Sequence, residues 1–246
     1  MKNNNLIRYI FFFVLLGLVA GGCKKTFLDE FNPANRTTDN FYTTATGYET
    51  LVNACYPLLR DISQQRIPTL NGTDMFSSGG WAGTLYFPTL TTQSGSPYDA
   101  YDISMNSSLG ELQSLWDMLY REVNRCNAAV TRAADVTGMV DSVKNTRIGE
   151  AKFLRSLSFF WAVQQWGDIP MPLTETTTGS LTVKKTAAKD VYTQIITDLN
   201  DAIAKLPVTQ KDAGRVTKGA AQFLLARVYL TRGWNFNNSL GGTSTD

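Results

Sequence analysis

Histidine is missing from all 246 residues. Without imidazole no side chain has an ordinary pKa near neutrality with which to activate a serine or cysteine nucleophile, and the commonest zinc ligand is gone. Carboxylate chemistry stays open. Charge is also scarce: 18% of residues are Asp, Glu, Lys or Arg, against roughly 25% in an average domain. Thr, Ser, Asn and Gly take the surface instead, a composition that suits an extracytoplasmic protein. Neither sign of charge dominates, with 23 basic and 21 acidic residues. No basic stripe is visible, so nucleic acid is not an expected partner. Cysteine occurs three times, too rarely for a disulfide scaffold.

Long apolar runs are equally few, and the only one lies at the start. Lys2 and Arg8 precede or enter an apolar segment from Leu6 to Ala20, followed by Ala20, Gly21, Gly22 and Cys23. The run is short for a membrane span of ~20 residues and has the flanks of a secretory signal. A cysteine directly after small residues predicts lipoprotein processing, with residues 1–22 removed and Cys23 acylated. Plain secretion and an uncleaved anchor are the alternatives. Ala20 stands where the commonest lipobox has leucine. Acyl chains anchor a protein by burying methylenes, at ~0.8 kcal/mol each, so no membrane-crossing helix is required. Loss of Lys2 and Arg8 leaves 21 basic against 21 acidic residues, a mature chain near neutrality. Cys55 and Cys126 then remain. They can form a disulfide, as in other exported proteins, or lie buried as small hydrophobes; a bridge needs their Cα atoms within ~7 Å.

What is present in quantity is hydrophobic residue, 43% with 11% aromatic, enough for a sizeable core. The densest stretch is Gly149 to Pro172. Ala151, Leu154, Ser158 and Trp161 share one side of a helix, and Phe153, Leu157, Phe160 and Gln164 the next side round, so neighbours must cover it on more than one flank. Gly167 can take the left-handed C-cap, and Pro170 and Pro172 cannot continue a helix.

The rest is arranged about this helix. Residues 23–40 read as a lipidated, extended tether with Phe27 and Leu28 as a small apolar anchor, and 41–246 as one helical domain. Thr38 or Asp39 can cap a helix from about Phe41 to Ile62, which carries Tyr48, Leu51, Val52, Cys55, Leu58 and Leu59 at helical spacing. Pro57 predicts a kink or an end near Ala54. From Ser63 to Gly110 small polar residues surround Trp81, Tyr86, Phe87, Tyr98 and Tyr101, too long a stretch for a plain connection. Aromatic rings among Asp and Asn suit sugars, whose apolar faces stack on the rings while hydroxyls bond the polar groups. The plainer reading is that the rings pin the loop to the helices. A helix from Leu109 to about Ala134 has Leu112, Leu115, Trp116, Leu119, Val123, Cys126 and Val130 inward, and Asp135 to Thr146 reads as a polar link. Thr186 can cap a helix ending at Pro207, Gly214 to Thr217 reads as a turn, and Lys218 to Thr231 forms the last helix.

An echo at an offset of 70 residues links Ala151, Phe153, Leu154, Phe159 and Phe160 to Ala221, Phe223, Leu224, Tyr229 and Leu230. Each set follows another amphipathic helix. This predicts a mainly α fold of stacked hairpins of tetratricopeptide type, whose unit is ~34 residues, with long irregular loops; an irregular bundle is the alternative.

Several motifs together resemble the SusD/RagB family: C-K-K-T-F-L-D from Cys23, V-N-A-C-Y from Val52, W-x-x-x-Y-x-x-x-N-x-x-N from Trp116, G-E-A-K-F-L-R from Gly149, W-G-D-I-P-M-P from Trp166, D-V-Y-x-x-I-I-x-D-L from Asp190 and G-R-V-T-K-G-A-A-x-x-L-L-A-R-V-Y-L from Gly214. The resemblance implies a non-enzymatic, lipid-anchored glycan- or nutrient-binding protein of the cell outer membrane, on the cell surface. It would act in uptake with a SusC-like TonB-dependent transporter, without metal or cofactor. Members are usually about twice this length, so the chain is expected to be an N-terminal part without the C-terminal lobe. Lys24–Lys25 replace the acidic run that often promotes surface exposure. By position the resemblance points to Asp74, Trp81, Tyr86, Tyr98 and Tyr101 as ligand contacts. Glu150 and Arg155 are expected to pair or to bond backbone, and Asp168 to cap or to bond the loop before Pro170. The competing functions are a helical-repeat scaffold that binds only protein, and a glycosidase using Glu150 with Asp168.

Overall fold

One helix, Asp141–Trp166, passes through the middle of the computed structural model and decides the place of the others. The structure describes residues 37–64, 66–71, 73, 97–100, 105–176 and 184–234. They fall into two compact units that part after Asn40. In the first, the Asn40 N–H donates to Thr37 Oγ1 at 3.2 Å. The second carries all that follows.

Its helices are α1 (Ala45–Asn53), α2 (Pro57–Gln64), α3 (Gly110–Arg132), α4 (Asp141–Trp166), α5 (Ala188–Lys205) and α6 (Lys218–Gly233), with single turns at Arg66–Leu70 and Pro97–Ala100. From α3 to α6 each helix packs on the next, giving two stacked hairpins, α3/α4 and α5/α6. This is the tetratricopeptide-like arrangement that the 70-residue echo predicts. The α4 stretch from Gly149 to Val163 has no exposed residue. Its first two turns are mostly polar, and Asp141, Ser142, Val143 and Asn145 are exposed; Asp141 to Thr146, expected as part of a polar link, is helix.

The ends follow local chemistry, with some changes of actor. Pro57 opens α2, where a missing N–H costs nothing, and α1 stops at Asn53 with Ala54 as its cap. The cap of α1 is Thr44, whose Oγ1 accepts from Gly47 N at 3.1 Å, rather than Thr38 or Asp39. At Gly47 an added Cβ would run into the Phe41 carbonyl oxygen, so only glycine fits. Gly167 ends α4 at φ +68°, a conformation that L side chains resist.

Beyond it Ile169–Pro170 pairs antiparallel with Lys185–Thr186, Ile169 opposite Thr186. Thr186 is therefore strand, and α5 has no side-chain cap of its own. Asp168 supplies it from across the ribbon, Oδ1 accepting from Ala188 N at 2.9 Å. Asp168→Ala is expected to cost ~1 kcal/mol in urea denaturation, the usual value of a cap, while Asp168→Asn keeps most of it.

Two buried ion networks bind the layers. Arg155 forks onto Asp198 of α5 at 2.8 and 2.9 Å. Glu150 accepts from Arg147, Gln210 and Arg215 and from the Tyr56 hydroxyl. Glu150 and Arg155 thus bind other partners, not each other. The echo breaks in one respect: Phe153 and Phe160 are 9% and 1% exposed, but Phe223 and Leu230 are 66% and 63% exposed. The same pattern meets a neighbour on α4 and none among the described residues on the far face of α6.

Candidate functional site

Helical spacing on α3 builds the site. Trp116 and Tyr120 lie four residues apart and so on one face; their ring centroids are 4.4 Å apart. Trp166, the last residue of α4, meets Trp116 edge-on at 5.1 Å. The same face continues through Asn124 and Asn127. Together these residues fasten the loop that follows α4. The Tyr120 hydroxyl donates to Pro170 O at 2.6 Å. Asn127 Nδ2 donates to Pro172 O and Thr174 O at 2.9 and 3.0 Å. Asn124 Oδ1 accepts from Thr176 N at 2.7 Å. Arg132 holds Glu175 through two hydrogen bonds. Burial pushes the Tyr120 hydroxyl well above its ordinary pKa, so it stays a donor at every working pH. The W-x-x-x-Y-x-x-x-N-x-x-N run is a ladder of donors and acceptors for the loop carrying W-G-D-I-P-M-P.

Trp116 forms a wall between two hollows. One lies over Asp117, Tyr120, Arg121 and Asn124. The other, ≈ 680 Å³, is lined by Asn71, Thr73, Tyr98, Trp116, Gln165 and Trp166. Aromatic faces and amides therefore meet in one open concavity. Both atoms of the Asn71 amide are shielded from solvent and have no hydrogen-bond partner among the described residues. An amide so placed loses about 1–3 kcal/mol of hydrogen bonding until something fills the need. This arrangement can stack an apolar sugar face and bond its hydroxyls.

Of the residues expected to contact ligand, Tyr98 lies on this wall, buried, its hydroxyl pKa raised by burial and then by Glu111. Asp74, Trp81, Tyr86 and Tyr101, and the lipidation residue Cys23, lie outside the described residues. Asn71, Trp116 and Trp166 line the same hollow and are not among the residues that the sequence singles out for ligand contact. Asn71 stands in the N-G-T-D turn that drew attention to Asp74, and that turn was the available signal. Sequence places the two tryptophans in the core and in a motif, because periodicity does not show which part of a large ring stays wet.

The arrangement does not support the carboxylate pair. Glu150 is fully buried and takes four donors, and Asp168 caps α5. Sixteen residues of α4 separate Glu150 from Trp166, roughly 24 Å of helix, where glycoside hydrolysis needs carboxylates about 5–9.5 Å apart.

Residues 26–230 match a SusD-like family described as starch-binding and associating with the outer membrane. A SusD-like protein of Bacteroides ovatus is 28% identical over 227 residues, 89% of this chain and 38% of that protein. A SusD-like protein from Bacteroides fragilis shares the fold with TM-score 0.65 at 24% identity, over 82% of this chain and 37% of its own. A laminarin-binding SusD-like protein shares it with TM-score 0.64 at 24% identity, over 81% and 42%. The chain thus spans about two fifths of the length of these relatives.

Proposed function

The chain belongs to the SusD-like family of starch-binding, outer-membrane-associating proteins, and from that premise we propose that it binds a glycan without chemically altering it. The family match across residues 26–230 carries this reading. The hollow beside Trp116 supports it, since rings, amide side chains and an open mouth suit an oligosaccharide better than a reactive centre. In this reading Cys23 is acylated and holds the protein at the outer membrane, facing the cell exterior. Asp74, Trp81, Tyr86, Tyr98 and Tyr101 add contacts to those of Asn71, Trp116 and Trp166. Cargo passes to a SusC-like TonB-dependent transporter, and the ligand is an oligosaccharide or a comparable hydroxyl-rich nutrient. Each stacked ring or hydrogen bond contributes about 1 kcal/mol net, which gives an affinity moderate enough to release cargo.

The test is a panel of oligosaccharides titrated against tryptophan fluorescence. At least one is expected to respond and to be recovered uncleaved. On that glycan Trp81→Ala and Asn71→Ala should each weaken binding roughly fivefold, the equivalent of ~1 kcal/mol, with unchanged helicity by circular dichroism. A protein-only scaffold would answer to no glycan, and a glycosidase would return shortened products.

A further inference from the structure

Three ligating side chains meet inside the helical core, away from the hollows. Cys55 sits in the turn between α1 and α2, and Glu122 and Cys126 stand one turn apart on α3. Their sulfur atoms and a carboxylate oxygen all lie within 4.8 Å of one another. All three residues are 0% exposed. Cys126 Sγ is 3.4 Å from Glu122 Oε1, and neither thiol is in a disulfide. Buried cysteines alone are accounted for as small hydrophobes. Glu122 is not. Its Oε2 is buried with no hydrogen-bond partner among the described residues, and Arg125 Nη1 stands off at 3.8 Å. Among the described residues this buried carboxyl group thus has one weak thiol donor and a guanidinium at the limit of ion-pair distance, and one of its oxygens accepts no hydrogen bond, less than a buried charge requires.

We propose that Cys55, Glu122 and Cys126 form a binding site for a thiophilic divalent cation, with Zn²⁺ the best fit. Bond lengths of ~2.3 Å to sulfur and ~2.0 Å to oxygen put tetrahedral ligand atoms roughly 3.5–3.8 Å apart, so these groups need little movement. The i,i+4 spacing of Glu122 and Cys126 presents two ligands on one helix face, and Cys55 closes the site from another element. Binding exchanges the two S–H protons for two metal–sulfur bonds and the Glu122 carboxyl proton, which burial favours, for a metal–oxygen bond, releasing three protons. Two thiolates and a carboxylate then carry three negative charges against two on the ion, and the Arg125 guanidinium supplies the third positive charge. A fourth coordination position is left to water. Occupied, the site ties the α1–α2 turn to α3, the helix that carries Trp116.

The experiment uses the reduced full chain. Co²⁺ titration is expected to saturate at one equivalent with a thiolate-to-cobalt charge-transfer band, and Zn²⁺ to displace it and raise the melting temperature. Glu122→Gln, which keeps the shape, should weaken Co²⁺ by about tenfold or more. The double variant C55A/C126A should lose the band and the melting shift. If that variant does not fold, competition of the wild type with a chromophoric chelator decides on its own. No band and no melting shift in the wild type overturns the proposal, as does a band that survives in C55A/C126A. Recovery of a Cys55–Cys126 disulfide from protein exported by cells also overturns it, since both thiolates would be consumed.

Discussion

Arg155→Ala is expected to lower stability by about 3–5 kcal/mol, the usual loss when one member of a buried ion pair is removed. Arg155 and Asp198 are both almost fully buried. The guanidinium forks onto Asp198, and Nη1 also donates to Asn127 Oδ1 at 2.8 Å and to Leu173 O at 3.2 Å. Its removal leaves Asp198, among the described residues, with the side-chain donor Gln194 Nε2 at 3.2 Å. Helices α3, α4 and α5 and the loop after α4 all lose a shared fastening. Urea denaturation measures the loss, and faster proteolysis near Leu173 should accompany it. The double variant R155M/D198L should recover most of the stability, because an apolar pair of similar volume leaves no charge uncompensated. A single variant within 1 kcal/mol of wild type would show that water reaches this pair.

Glu150→Ala is expected to be nearly as damaging, about 3–5 kcal/mol on the same grounds. The fully buried carboxylate accepts from Tyr56 at 2.6 Å, Gln210 at 3.0 Å and Arg215 at 2.8 Å, as well as from Arg147. These donors come from the α1–α2 turn, the α5–α6 link and α4 itself. Burial, and then the charge on Glu150, push the Tyr56 hydroxyl well above its ordinary pKa, so that proton is always available for the bond. Alanine leaves Arg147 and Arg215 facing each other over Glu49, their remaining shared acceptor. Glu150→Gln fills the space and keeps part of the hydrogen bonding. Its expected cost is about half as large, and thermal melts of the two variants should rank in that order.

These two residues show where sequence reading stopped. Their membership of an apolar helix marks them as structural, and both lie buried in ion networks. Apart from Arg147, their partners lie 18 to 94 residues away in the chain, and helical spacing contains no information across such gaps. Asp168 shows the same limit. The sequence leaves it either a cap or a bond to the loop before Pro170, and it caps α5 from across a two-stranded ribbon that periodicity does not reveal. At the site, the aromatic and amide chemistry was legible as residue types. The hollow itself was not, because it is made where the face of α3, the end of α4 and the turn at Asn71 converge.

Composition and periodicity by themselves determined the helical class, the stacked pairs, the apolar α4, the break before Pro57 and the stop at Gly167. Those features depend on each residue's own backbone preference and on neighbours three or four positions away. The tertiary structure alone decided which buried charges neutralise one another, which ring faces remain wet, and that Glu122 stands beside two thiols. Such outcomes depend on how helices distant in the chain come together, and there the cost of burying a polar group is set by whatever partner the packing brings within reach.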